Sequence, residues 1–349
     1  MLFVGNALLD ISIECDVSLL SQYKLTEDES SLFEEWQLPL LDHVFNDKKA
    51  LTTAGGSSQN SARIASALLS KRFNSPMKVY FMGCIGNDNF GNILKQKVEE
   101  SGITTLYDVI DSKSTGVAVG LITSNHRTLI ANLGAANTFN EKFIFTSQVQ
   151  SAVENCSLIH IEGFFVCHSP SVSLKFVECC HSKRKIVSLG LSAKYVVEDH
   201  FDDVLALLPF CDVIFGNDGE AKSFAQKLNK SCNTNNELEL VVKSILQINK
   251  NGTFSLSGNE VKRAVFVTSG PNAVTVGVIN VDNTIVITTH PVPKVEVKGD
   301  TIGAGDAFLG AAVAALSQQK SLDFSINFAI EIAAQCCNYR GCSIAECFQ

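Results

Sequence analysis

Short apolar runs alternate with amphipathic stretches along this chain, and their order predicts a fold before any single residue is considered. Leu2 to Leu8 alternates apolar with small residues and reads as a strand, with Asn6 and Asp10 polar at its exit. Ser18 to Phe45 mixes acidic and apolar residues around Trp36 and predicts a partly helical cover. An extended run then ends at Gly55-Gly56, where Ser57 and Ser58 offer N-caps for a helix through Ser70. Lys78 to Ile85 is a buried strand, and Gly86 to Gly91 turns into a helix ending near Ser101. Gly116 to Thr123 and Thr128 to Leu133 form a hairpin around Ser124-Asn125-His126-Arg127, which implies a small sheet apart from the alternating rhythm.

That rhythm resumes with strands near Leu158 to Ile161, Ile186 to Leu189 and Val213 to Phe215. Helices over Ser169 to His181, Val197 to Leu208 and Glu220 to Leu228 separate them. Asn229 to Glu260 is polar, with a helical piece around Leu238 to Ile248, and reads as a surface excursion. Ala264 to Thr268 is a strand running into Ser269-Gly270, and Val274 to Val278 with Thr284 to Thr288 make a hairpin. A glycine-rich loop from Asp300 and two helices finish the chain. The whole predicts an α/β fold, a mostly parallel sheet with helices on both faces. Ligands collect at the carboxyl ends of such strands. Asn6, Gly55-Gly56, Asn217, Gly270 and Asp306 all fall at strand exits or helix starts, which points to one site.

Composition narrows the partners. At 349 residues, 46% hydrophobic and 18% charged, the chain can bury a large core, and a formal charge of −8 disfavours nucleic acid or an anionic membrane. The longest apolar runs are too short to span a bilayer. The N-terminus carries no basic region, so neither a signal nor a transit peptide is expected. Twelve cysteines without a C-x-x-C predict free thiols and a reducing cytoplasm rather than zinc or a disulfide frame. Gly-Lys never occurs, so there is no Walker A loop, and H-R-D, H-E-x-x-H and G-x-S-x-G are absent.

The most informative stretch is Asp300-Thr301-Ile302-Gly303-Ala304-Gly305-Asp306, followed by an alanine-rich helix former. Free N–H groups at a helix start, with its positive dipole end, make an anion site, and glycines let the backbone approach the anion. A carboxylate beside a bound phosphate is a poor ligand but a sensible base for an attacking hydroxyl. Asp10 and Asn6 read alone are equally a capped turn, Gly55-Gly56-Ser57 a plain helix cap, Arg127 a solvated loop charge, and Glu220 a helix N-terminal carboxylate. His160 reads as a core or strand-end residue.

The spacing D-T-x-G-A-G-D-A-F at Asp300 resembles a signature of the ribokinase (PfkB) family of sugar and nucleoside kinases. G-N-x-L-L-D-I-S at Gly5, A-G-G-S-x-Q-N-S at Ala54, G-C-I-G-x-D-x-F-G at Gly83 and L-I-A-N-L-x-A-A-N at Leu129 extend the likeness from Gly5 to Gly341. G-F-F at Gly163, L-S-A at Leu191 and F-G-N-x-x-E-A at Phe215 join them, on the nucleoside-kinase side of the family. The resemblance implies a three-layer large domain (1–10, 54–112, 139–349) and a small α/β lid (11–53, 113–138). It implies transfer of the ATP γ-phosphoryl group to the 5′-hydroxyl of adenosine, with magnesium, by a monomer.

By the same resemblance Asp306 is the base, Gly303, Ala304 and Gly305 form the anion hole, and Arg127 clamps the phosphate. Asp10, Gly56, Ser57 and Asn60 face the ribose, and Asn6 lies near the purine. Leu32, Ala118, Leu129, Phe165, Tyr195 and Ile302 wall the base. Asn217, Thr268, Gly270 and Ile330 line the ATP site, with Glu220 and Asn217 toward magnesium through water. Ile302, Gly190, Ser30 and Ser31 depart from the usual pattern, which bears on base selectivity and nucleotide affinity and not on the reaction. Two other readings stay open: a kinase for inosine, guanosine or a free sugar, and a non-catalytic nucleoside-binding protein.

Overall fold

A computed structural model describes residues 1–27, 29–123, 126–228, 237–299, 301–339 and 341–342. Asp300 and the hairpin tip at Ser124-Asn125, both named above, lie outside the described residues. In chain order the strands are β1 (Leu2–Val4), β2 (Leu8–Glu14), β3 (Ser30–Leu32), β4 (Leu51–Gly55) and β5 (Val79–Gly86). Next come β6 (Ile103–Ile110), β7 (Gly116–Thr123), β8 (His126–Asn132), β9 (Leu158–Glu162) and β10 (Ile186–Gly190). The last are β11 (Val213–Asn217), β12 (Phe254–Leu256), β13 (Asn259–Thr268), β14 (Val274–Asn280) and β15 (Ile285–His290).

The large sheet runs β15-β14-β13-β11-β10-β9-β1-β5-β6, with β12 beside β13. From β13 to β6 all neighbours are parallel; β12, β14 and β15 pair antiparallel. Period-two alternation sends the side chains of each central strand into two cores. Phe3 joins one with Ala62, Ile64 and the alanines of the Ala304–Ser317 helix. Leu2 and Val4 join the other with Val149, Phe176 and Phe224. A strand buried on both faces reads as a continuous apolar run, as these do.

The small sheet runs β3-β8-β7-β2-β4. The expected edge of the large domain moves here. Leu8, Leu9 and Asp10 pair with Gly116, Val117 and Ala118, and Gly55 and Ala54 pair with Leu8 and Leu9, all within the small sheet. The single strand expected over Leu2 to Leu8 is therefore two, broken at Gly5. The chain must leave one sheet and enter the other there, and a Cβ on Gly5 would lie 2.5 Å from the Glu162 carboxyl carbon and 2.6 Å from Ser58 Cβ.

A second expectation fails at the polar excursion. Its helix, Glu237–Leu246, buries Val241, Val242, Ile245 and Leu246 against β14. The charged face hid an apolar stripe that the sheet needs as cover.

Candidate functional site

The exits of β1, β4 and β9 and the starts of two helices, Ser57–Lys71 and Ala304–Ser317, meet at the carboxyl edge of the large sheet. Gly56 takes φ +86, and a Cβ there would lie 2.2 Å from the Asn6 carbonyl oxygen, so only glycine closes this turn. The turn aims the first helix so that the Ser57 hydroxyl donates to Asp306 Oδ1 at 2.7 Å and Asn60 Nδ2 donates to Oδ2 at 3.0 Å. Ser61 donates to the Asp306 carbonyl at 3.1 Å. On the facing helix Gly303 is the N-cap, left-handed at φ +79, and Ala304 and Gly305 open the first turn. A helix start leaves N–H groups without intrahelical acceptors. Among the described residues nothing lies within 4 Å of a Cβ built on Gly305.

Burial pushes the Asp306 carboxyl up to about 6, against the pull of the Ser57 and Asn60 hydrogen bonds. At neutral pH it is ionised but a stronger base than an ordinary carboxylate, which suits a group that must take a proton.

Asp10 sits on β2, between Thr53 of β4 and Ala118 of β7. A Cβ on Gly55 would lie 1.9 Å from its Oδ1, so the carboxylate rests directly on the glycine. Arg63 holds this wall: Nη1 donates to Ala54 O at 2.7 Å and to Asn60 Oδ1 at 3.3 Å. Asn6 is 5% exposed, and its Oδ1 has no partner among the described residues. Leu32, Tyr195 and Ile302 expose 63, 51 and 45% of their surface, apolar area that a flat ring could cover. Ala118 is buried in the sheet, and Leu129 lies opposite Ser30 and Gly120.

Phe165 does not join the wall. It is fully buried, edge-on to Phe139 at 5.1 Å. Its neighbour Phe164 is half-buried, 6.0 Å from Tyr195. The turn of the short Gly163–His168 helix rotates the second ring into the core and leaves the first outside. Arg127 holds a strand position opposite Ile122; its side chain lies outside the described residues.

Sequence reasoning missed Glu162. It is 1% exposed at the end of β9, and its two oxygens accept the Asn6 N–H at 2.5 Å and the Ser58 N–H at 2.7 Å. Burial pushes it up to about 8. A glutamate closing the apolar run Leu158 to Ile161 carries no local signal for this.

Against this geometry, the family model described as "pfkB family carbohydrate kinase" matches residues 42–347. The chain belongs to the pfkB family. It is 29% identical to adenosine kinase of Dictyostelium discoideum over 92% of this chain and 89% of that protein. It is also 29% identical to adenosine kinase of Schizosaccharomyces pombe, over 97% and 94%. Among solved structures, adenosine kinase of Anopheles gambiae in complex with P1,P4-di(adenosine-5) tetraphosphate superposes with a TM-score of 0.81 at 29% identity, covering 99% of this chain and 97% of that one.

In this pfkB chain a second depression lies beside the C-terminal helix. Ile330, Pro291, Pro293, Val295, Ala334 and Asn338 line a cavity of 370 Å³. Asn217 and Thr268 are paired neighbours at the ends of β11 and β13, and Gly270 is left-handed at φ +56 with an open surround. Asn217 and Glu220 form a reciprocal cap: Glu220 N–H donates to Asn217 Oδ1 at 2.9 Å, and Asn217 Nδ2 donates to Glu220 Oε1 at 2.6 Å. Asn217 N–H reaches Oε2 at 3.0 Å. Among the described residues no three His, Cys, Asp or Glu side chains gather as a metal cage. Magnesium usually keeps several waters and takes substrate phosphates as ligands. A buried carboxylate with both oxygens already engaged by Asn217 fits an outer role, reached through water.

Proposed function

We propose that this chain is an ATP-dependent adenosine kinase, moving the γ-phosphoryl group to the ribose 5′-hydroxyl and yielding AMP and ADP. The observation that carries the proposal is Asp306, a partly open carboxyl on the first turn of a glycine-capped helix, held by Ser57 and Asn60 from the opposite helix. A 5′-hydroxyl in this notch gives its proton to Asp306. The N–H groups of Gly303, Ala304 and Gly305 then face the charge that develops on the transferring group, worth about 2.7–4 kcal/mol for each well-aimed donor. A positioned base contributes roughly 10²- to 10⁴-fold.

Asp10, Gly56 and Asn60 hold the ribose hydroxyls, and the open Oδ1 of Asn6 faces the base. Leu32, Ala118, Leu129, Tyr195 and Ile302 wall it, with Phe164 in the role first given to Phe165. ATP lies along Asn217, Thr268, Gly270 and the Ile330 cavity. Magnesium, held through water by Glu220 and Asn217, would screen the phosphate charges. Arg127, on the small sheet, closes over the phosphate. The names of the relatives support adenosine as acceptor.

The proposal includes a monomer at work in the cytoplasm. Cys15, Cys84, Cys156, Cys167, Cys179, Cys180 and Cys211 are free thiols, and no helix of the described residues is long and apolar enough to cross a membrane. ADP release with adenosine, inosine, guanosine and ribose as acceptors tests the assignment. Preference for adenosine supports it, and preference for another acceptor reassigns the substrate. No ADP with any of them, while adenosine still binds, would make the chain a binding protein.

A further inference from the structure

Glu162 is a buried acid with no protein cation against it among the described residues, and neither the fold nor the proposed chemistry accounts for it. Its partners are specific. Both are main-chain N–H groups, one on Asn6 at the nucleoside side and one on Ser58 beside the residue that holds Asp306. The side-chain oxygens of those same two residues, Asn6 Oδ1 and Ser58 Oγ, are buried and have no partner among the described residues. Glu162 therefore grips the backbone of two segments and leaves their side chains free to turn toward a ligand. Gly5 is the residue that lets the carboxyl in, since any side chain there would collide with it.

We infer that Glu162 is a positioning residue that fixes the distance between the nucleoside-binding exit of β1 and the helix start that aligns Asp306. The inference rests on the kinase reading above. Glutamine at this position keeps the volume but turns an N–H₂ group against one of the two N–H donors, so one backbone donor is left buried without an acceptor. Such a loss is worth about tenfold or more in an equilibrium.

The ionised carboxylate accepts two N–H groups better than the neutral acid, whose hydroxyl oxygen is a weak acceptor. The grip therefore tightens as Glu162 loses its proton near pH 8. The titratable groups that face it are Asp306 on the Ala304–Ser317 helix, Tyr195 on the Lys194–Asp199 helix and Cys167 on the Gly163–His168 helix. Asp306 titrates near 6 and the other two near 12, so none of them produces an inflection near 8.

The experiment is E162Q in the full chain, with KM for adenosine and kcat followed from pH 6.5 to 9 and the folded fraction fixed by circular dichroism. The expected result is a rise of about tenfold in KM and a fall in kcat at unchanged folded fraction. In the wild type, KM falls as pH rises through about 8. In E162Q it stays flat. A folded E162Q with wild-type KM, kcat and pH dependence overturns the inference, as does an inflection near 8 that persists in the variant. Should E162Q unfold, Gly5→Ala, which crowds the same carboxyl from the other side, carries the same KM test. Failure here is distinct from failure of the base: an active D306N removes the base, whereas a silent E162Q beside an inactive D306N leaves it standing.

Discussion

The hydroxyl of Ser57 donates to Oδ1 of Asp306 at 2.7 Å, although 249 positions separate the two residues. One glycine-rich loop thus sets the protonation and the aim of a carboxyl that belongs to another. The hydrogen bond favours the ionised carboxylate, while burial favours the acid and prevails. The balance leaves a carboxyl that is charged at neutral pH and more basic than an ordinary carboxylate.

Removal of that hydroxyl moves the balance. Ser57→Ala deletes a bond that lowers the Asp306 value, so the carboxyl rises further above 6. The acid limb of kcat/KM moves to higher pH, by a few tenths to about one unit. Turnover is lost at pH 6 and largely recovered at pH 8. A pH–rate profile of the variant checks this, and an unmoved acid limb would separate Asp306 from the rate.

The raised carboxyl also costs stability. Asp306 has a folded value near 6 against an ordinary 3.8, so the folded state binds its proton more tightly than the unfolded state. The penalty is absent below about pH 4, grows as the group ionises, and is complete above about pH 6. Asp306→Asn removes it. The variant is expected to be more stable than the wild type at pH 7.5 by roughly 1–2 kcal/mol, a difference that closes below pH 4. Paired urea melts at both pH values measure it.

Asp10 and Gly55 form a close contact, in which a Cβ on the glycine would lie 1.9 Å from the carboxylate Oδ1. Gly55→Ala forces Asp10 aside, and Asp10→Ala deletes it. Both variants should raise KM for adenosine by about 10- to 100-fold while changing KM for ATP little, because a lost hydrogen bond to a charged group is worth about 1.5–3 kcal/mol. Equal changes in both KM values would take Asp10 out of the nucleoside site.

The loops at Gly55 and Gly303 were legible because turn chemistry is local: glycine, then a cap, then a helix former. The parallel sheet was legible in its alternation with helices. Of the two places the pattern offers His160, core or strand end, the structure gives the core: it is buried, its Nδ1 3.1 Å from Ser188 Oγ. What escaped was tertiary. Nothing in I-E-G-F-F tells that Glu162 takes two backbone N–H groups from distant segments, or that the second phenylalanine turns inward while the first faces out. The exchange of sheets at Gly5 was hidden because apolar residues stand on both sides of it, Leu2 to Val4 before and Ala7 to Leu9 after. The buried stripe of the Glu237–Leu246 helix was masked by its polar surroundings.

The central claim is that Asp306 takes the proton from the nucleoside's primary hydroxyl. It is tested most directly by the single-turnover rate of Asp306→Asn, with saturating ATP, magnesium and adenosine, alongside adenosine binding by calorimetry. The account predicts a rate lower by about 10²- to 10⁴-fold with a dissociation constant within a few-fold of the wild type. A variant that binds adenosine normally and transfers phosphate at near the wild-type rate would contradict it.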